Sequence, residues 1–162
     1  MTDLPIENVQ DYPRPPRLEK MPQQERIMLA DQVVAETTRG LRILETHHAP
    51  TYYFPRADIR ADLVPVSGGS FCEWKGQAQY FDVAVTGRIV RRAAWTYETP
   101  TTSFADLANH VAFYAGLMDA CYVGEECVIP QPGDFYGGWV TSNLRCTPKS
   151  NCETMHWWQV HL

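Results

Sequence analysis

The chain carries none of the short motifs that announce a familiar chemistry. GxGxxG and GxxxxGK[ST] are absent, so it has no standard dinucleotide or phosphate cradle, and no cofactor is implied. HExxH and GxSxG are missing too, which removes the common zinc-protease and serine-hydrolase layouts. No closely spaced Asp or Glu pair points to two-metal phosphoryl transfer. No apolar run approaches the length of a membrane span. The opening residues, MTDLPIENVQ, lack a basic start followed by an apolar stretch, so no secretory leader is expected. Positive charge is scarce: 14 Lys and Arg face 19 Asp and Glu, for a net charge of −5. That balance argues against a duplex nucleic-acid partner, which requires a basic surface to displace counterions.

Cysteines are few, and no CxxC occurs. Cys72, Cys121, Cys127, Cys146 and Cys152 make an odd count without a leader, which favours reduced thiols in a cytoplasmic setting. Cys146, Cys152, His156 and His161 could be drawn as a tetrahedral site, but their spacing matches no common ligand pattern. The alternative is an irregular tail of unrelated residues.

What the chain does have is apolar mass, at 44% hydrophobic and 12% aromatic over 162 residues, enough for one packed domain. Residues 1–24 are rich in proline and read as an arm, with Tyr12-Pro13-Arg14-Pro15-Pro16 extended. Residues 25–142 read as a single β-rich domain, and residues 143–162 as an irregular tail packed on it.

Within the domain, Ile27–Leu29 and Val33–Thr38 form a hairpin, and Leu41–Glu45 and Thr51–Phe54 are short strands. From Phe71 to Val85, alternation sets Cys72, Trp74, Gly76, Ala78 and Tyr80 on one face. Glu73, Lys75, Gln77, Gln79 and Phe81 fall on the other. Ile89, Arg91, Ala93, Trp95 and Tyr97 share a face of the next strand. Phe104, Leu107, Ala108, Val111 and Ala115 recur at helical spacing, so one helix is predicted near 103–116, capped by Ser103 and stopped by Gly116. A hairpin follows around Val123-Gly124-Glu125. The expected fold is mainly β, a small barrel or sandwich-like domain with one helix.

Candidate site residues come from this pattern. Lys75 beside Trp74 suits an anion contact or, if desolvated, a base or nucleophile; the alternative is an exposed lysine. Cys72 is either an inert buried thiol or a nucleophile near His48 or His110. His48, at a strand start, suits acid–base work or an ordinary turn contact. Arg56 either pairs with Asp58 or clamps a carboxylate or phosphate. Tyr53, Trp74, Trp95, Tyr97 and Trp139 supply flat faces for a planar ligand.

Five segments also carry a resemblance. They are His48-Ala49-Pro50-Thr51-Tyr52-Tyr53-Phe54-Pro55, Cys72 to Tyr80, Ala94-Trp95-Thr96-Tyr97, Val111-Ala112-Phe113-Tyr114 and Phe135-Tyr136-Gly137-Gly138-Trp139. Together, over about residues 8–142, the chain resembles domain-of-unknown-function family 427, in its longer form with a Tyr-Pro-Arg-Pro-Pro arm. That family is also filed under a nucleotidyltransferase-type label. The resemblance implies a small, β-rich, bacterial-type cytoplasmic domain and supplies no catalytic residues.

Three functional readings follow. The first is an unknown small molecule held in an aromatic-lined pocket, with or without turnover. The second is an interaction module, possible as a homodimer, that uses the arm and the Phe135–Trp139 loop. The third is a thiol or metal protein built on Cys146, Cys152 and His156.

Overall fold

The computed structural model describes residues 4–132 and 137–145. Its strands, in chain order, are β1 (Glu7–Asn8), β2 (Arg17–Met21), β3 (Glu25–Leu29), β4 (Gln32–Thr37), β5 (Gly40–Leu44), β6 (Thr51–Pro55), β7 (Asp62–Cys72), β8 (Gly76–Val85), β9 (Arg88–Thr96), β10 (His110–Phe113), β11 (Ala120–Val123), β12 (Glu126–Cys127), β13 (Ile129–Pro130), β14 (Trp139–Val140) and β15 (Leu144–Arg145). Seven of them form an antiparallel sheet in the order β2-β5-β6-β10-β9-β8-β7. Four more form a second antiparallel sheet, β12-β11-β3-β4. Neither sheet closes on itself, so the fold is mainly β and sandwich-like.

Strand alternation sorts the side chains of the large sheet. On β6, Tyr52 and Phe54 enter the main core while Tyr53 points to the opposite face; on β10, Val111 and Phe113 part from Ala112 in the same way. The main core lies between the two sheets, where Ile27, Leu29 and Val123 of the small sheet meet Phe54, Phe81, Val83 and Phe113. The predicted hairpins at Ile27–Thr38 and around Val123-Gly124-Glu125 are present as β3-β4, which ends at Thr37, and β11-β12.

In place of the predicted helix at 103–116 the chain makes two short 3-10 turns within Thr102–Leu107, followed by strand β10. Phe104 departs from helical angles between the two turns and Asn109 has φ +63°, so the segment does not continue as one helix. His110–Phe113 then pairs with β6 and β9 at the middle of the sheet, where β-branched and aromatic residues fit the pleat. The helical spacing instead records two anchors: Phe104 and Leu107 cap one face of the sheet, and Val111 belongs to the other.

The N-terminal residues are held to the body. Val9 and Tyr12 are buried, the Tyr12 hydroxyl donates to Glu7 (2.6 Å), and the buried Arg42 guanidinium donates to both Glu7 and Glu19. Burial opposes charge at Arg42 and Glu7, but their mutual bonds outweigh it, so both stay ionised.

Candidate functional site

The face of the large sheet turned away from the main core carries the aromatic cluster. Tyr53 of β6, Tyr80 of β8 and Trp95 of β9 converge there, with Tyr97 just beyond β9. Tyr53 meets Trp95 edge-on at 6.5 Å between ring centroids, and Trp95 packs on Tyr114 at 4.5 Å. Gly137 lies against the Trp95 indole. Its φ is +67°, and a side chain there would overlap the ring, which explains one glycine of the Gly137-Gly138 pair.

Phe104 and Leu107 cover part of this face and leave a concavity of about 200 Å³. Tyr53, Trp74, Tyr80, Trp95, Tyr97 and Tyr114 wall it; Cys72, Lys75, Ser70, Glu45 and Glu73 supply its polar groups. Six residues nominated from sequence therefore meet in one place: Tyr53, Cys72, Trp74, Lys75, Trp95 and Tyr97.

Lys75 arrives there by a route that simple alternation misses. Glu73-Trp74-Lys75 is not strand but the turn of the β7-β8 hairpin, closed by the pairing of Cys72 with Gly76. The turn is tied down where the Thr101 backbone N–H donates to the Lys75 carbonyl (3.0 Å) and the Thr101 hydroxyl donates to the Trp74 carbonyl (2.6 Å). Both side chains consequently reach the same concavity instead of opposite faces. The Lys75 ammonium lies 5.8 Å from the centre of the Tyr97 ring, within cation–π range.

The other nominated residues lie elsewhere. Trp139 is fully buried in the main core, stacked on Tyr52 at 5.1 Å, with its indole N–H donating to the Phe113 carbonyl. Arg56 stacks over Phe81, 5.0 Å from its ring centre. Its expected partner Asp58 instead takes Arg39 and the Thr37 hydroxyl. His48 sits in the turn before β6, its Nδ1 3.3 Å from the Gln131 amide nitrogen; it does not line the concavity. Ile89 and Arg91 are exposed and Ala93 joins the main core, because an irregularity in β9 breaks the single face predicted for Ile89 to Tyr97. The Cys146, Cys152, His156 and His161 set lies outside the described residues. Among the described residues, no group of three or more His, Cys, Asp or Glu could hold a metal ion.

Burial pushes the Tyr53 and Tyr97 phenols well above their ordinary range, so both keep their protons and serve as hydrogen-bonding groups rather than bases. The Tyr80 hydroxyl shares a 2.9 Å bond with Ser70. The site thus offers flat apolar walls, neutral hydroxyls, a thiol, one ammonium and the carboxyl groups of Glu45 and Glu73.

A sequence profile described as Domain of unknown function (DUF427) matches residues 17–124, two thirds of the chain. The chain belongs to the DUF427 family. The DUF427 region contains all six convergent residues. No curated protein matches the chain. No helix among the described residues is long and apolar enough to cross a membrane.

Sequence reading missed Tyr114, Ser70 and Glu45 as members of the site. Tyr80 was placed on the correct face but not nominated. Tyr114 follows β10, and only the pairing of β10 with β9 brings it to Trp95.

Proposed function

We propose that the aromatic concavity is the binding site for a small planar molecule with a polar or anionic substituent. One observation carries this reading: six residues nominated from the sequence line a single concavity of about 200 Å³. An enclosed cavity on the order of 150 Å³ accepts a benzene, so this volume suits about one ring with a substituent. Tyrosine and tryptophan faces favour such a ring, and their polar edges orient it. Lys75 gives the substituent its charge contact; among the described residues no carboxylate lies in salt-bridge range of its ammonium. The reading concerns binding and assigns no reaction.

Thermal-shift screening with substituted phenols and benzoates, read alongside tryptophan fluorescence, tests it. Hits are expected to lose their effect in Trp74→Ala and to weaken about ten-fold in Lys75→Met, the scale of one charged hydrogen bond. If no such compound shifts the midpoint, or if hits act equally on Trp74→Ala, the assignment fails.

A further inference from the structure

A second concavity, of about 550 Å³, shares Tyr114 with the aromatic site but has different chemistry. Its charged wall is Arg91 and Arg92, and Leu117, Pro130 and Pro132 add apolar surface beside Tyr114.

The two arginines sit where the β8-β9 ladder is irregular. Phe81 faces Ala94 and Val83 faces Val90, so Asp82 alone spans Arg91 to Ala93. Arg92 adopts φ +50°, a left-handed conformation that long side chains take only under strain. Asp82, only 7% exposed, secures that conformation. Its Oδ1 accepts the Arg92 backbone N–H at 2.8 Å, and its Oδ2 accepts from the Arg91 guanidinium at 3.1 Å.

The irregularity swings the Arg92 guanidinium over Tyr80, 3.9 Å from the ring centre. Among the described residues it meets no carboxylate, although the chain has 19 acidic residues. A regular strand would have needed neither the strain nor the buried Asp82. A bulge that re-aims one cation into a cavity is a device found beside binding sites. The planar guanidinium fork matches carboxylate and phosphate oxygens, and the prolines, Leu117 and Tyr114 suit an apolar body.

We infer that this concavity binds a small organic oxyanion, a carboxylate or phosphate ester with an apolar body, with Arg92 as its anion-binding residue and Arg91 as the second cation.

Calorimetric titration of the full chain with benzoate, phenyl phosphate and inorganic phosphate tests the inference. Benzoate or phenyl phosphate is expected to bind more tightly than inorganic phosphate. Arg92→Ala is expected to weaken that binding about ten-fold or more. Arg92→Gly keeps the chain folded, because glycine takes positive φ without strain, and is expected to lose binding equally. The titrations are repeated in the Trp74→Ala background, which disables the aromatic site; binding that depends on Arg92 is expected to remain there.

Any of four results overturns the inference. The first is no binding by any probe up to about 10 mM, a Kd at the weak end of specific recognition. The second is undiminished affinity in Arg92→Gly. The third is inorganic phosphate binding as tightly as phenyl phosphate. The fourth is loss of all binding in the Trp74→Ala background, which would place the acid in the aromatic site alone.

Discussion

The seven-stranded sheet has two faces built from alternate residues of the same strands, and the two are finished differently. The inner face is Phe54, Phe81, Val83, Val111 and Phe113 together with the fully buried Tyr52, sealed by the four-stranded sheet, with Phe54 and Phe113 edge-to-face at 5.8 Å. The outer face is Tyr53, Tyr80, Trp95 and Tyr97, covered mainly by Phe104 and Leu107. Phenylalanine and valine have no polar atom and gain from complete cover. Tyrosine and tryptophan tolerate a boundary with water, because one edge can hydrogen-bond. The chain's high aromatic content is therefore two populations: one closes a core, and the other lines a concavity.

The largest expected contrast is in stability. Phe113→Ala removes a fully buried ring from the sealed face and is expected to cost about 3–5 kcal/mol. Trp74→Ala removes a half-buried ring from the open face and is expected to cost about 1 kcal/mol or less. Urea unfolding of both variants measures the difference; equal costs would break the contrast.

The sealed face also has a flaw. Glu25 is fully buried, and neither carboxyl oxygen has a hydrogen-bond partner among the described residues. Its room exists because Gly40 has no side chain: a Cβ at that position would overlap the carboxyl group. Burial pushes Glu25 well above the carboxylate range, with the Arg42 charge opposing only in part. The folded state therefore keeps a proton that the unfolded chain releases. The stability this gives is full below the ordinary carboxyl range and is lost as pH rises. Glu25→Gln is expected to flatten that decline and to gain about 1–3 kcal/mol at alkaline pH, the scale of an unsatisfied buried polar group. Gly40→Ala is expected to cost about 1–3 kcal/mol from overpacking. Most of that loss should be recovered when Glu25→Ala is added; additivity of the two would show that the carboxyl and Gly40 do not press on each other.

Sequence reading captured what alternation controls in β8, where Ala78 and Tyr80 share one face and Phe81 takes the other. The same period of two sets Tyr53 opposite Tyr52 and Phe54, a sorting that sequence reading did not draw. Sequence reading failed where the period breaks. The turn at Glu73-Trp74-Lys75 looked like continuous strand, so Lys75 was sent to the wrong face. The Arg91-Arg92 irregularity looked like one strand face, so Arg92 went unnoticed, although two adjacent arginines before Ala93-Ala94-Trp95 were the available signal. Trp139 and Arg56 were nominated by residue type alone. Only long-range packing separates a tryptophan that seals a core from one that walls a cavity.

The smallest expected effect concerns His48, at the edge of the comparison. Gln131 Oε1 accepts the Ala49 backbone N–H at 2.7 Å, which turns the Gln131 amide nitrogen toward His48. His48 Nδ1 must then accept, and a proton on it would set donor against donor. Burial, reinforced by the charges of Arg14, His47 and Lys75, lowers His48 to about 4. The unfolded chain takes up this proton near pH 6.5 and the folded chain only near 4, so stability falls as pH drops through that window. The loss is expected to be about 1 kcal/mol after solvent screening, and His48→Gln should flatten it while leaving the opposite Glu25 slope intact. Lys75→Met removes one of the charges acting on His48, so an NMR titration should find the imidazole pKa moved upward. The shift is expected to be smaller than the one produced by removing the Arg14 charge, which acts on His48 more strongly. An unmoved titration would show that the Lys75 charge does not reach the imidazole.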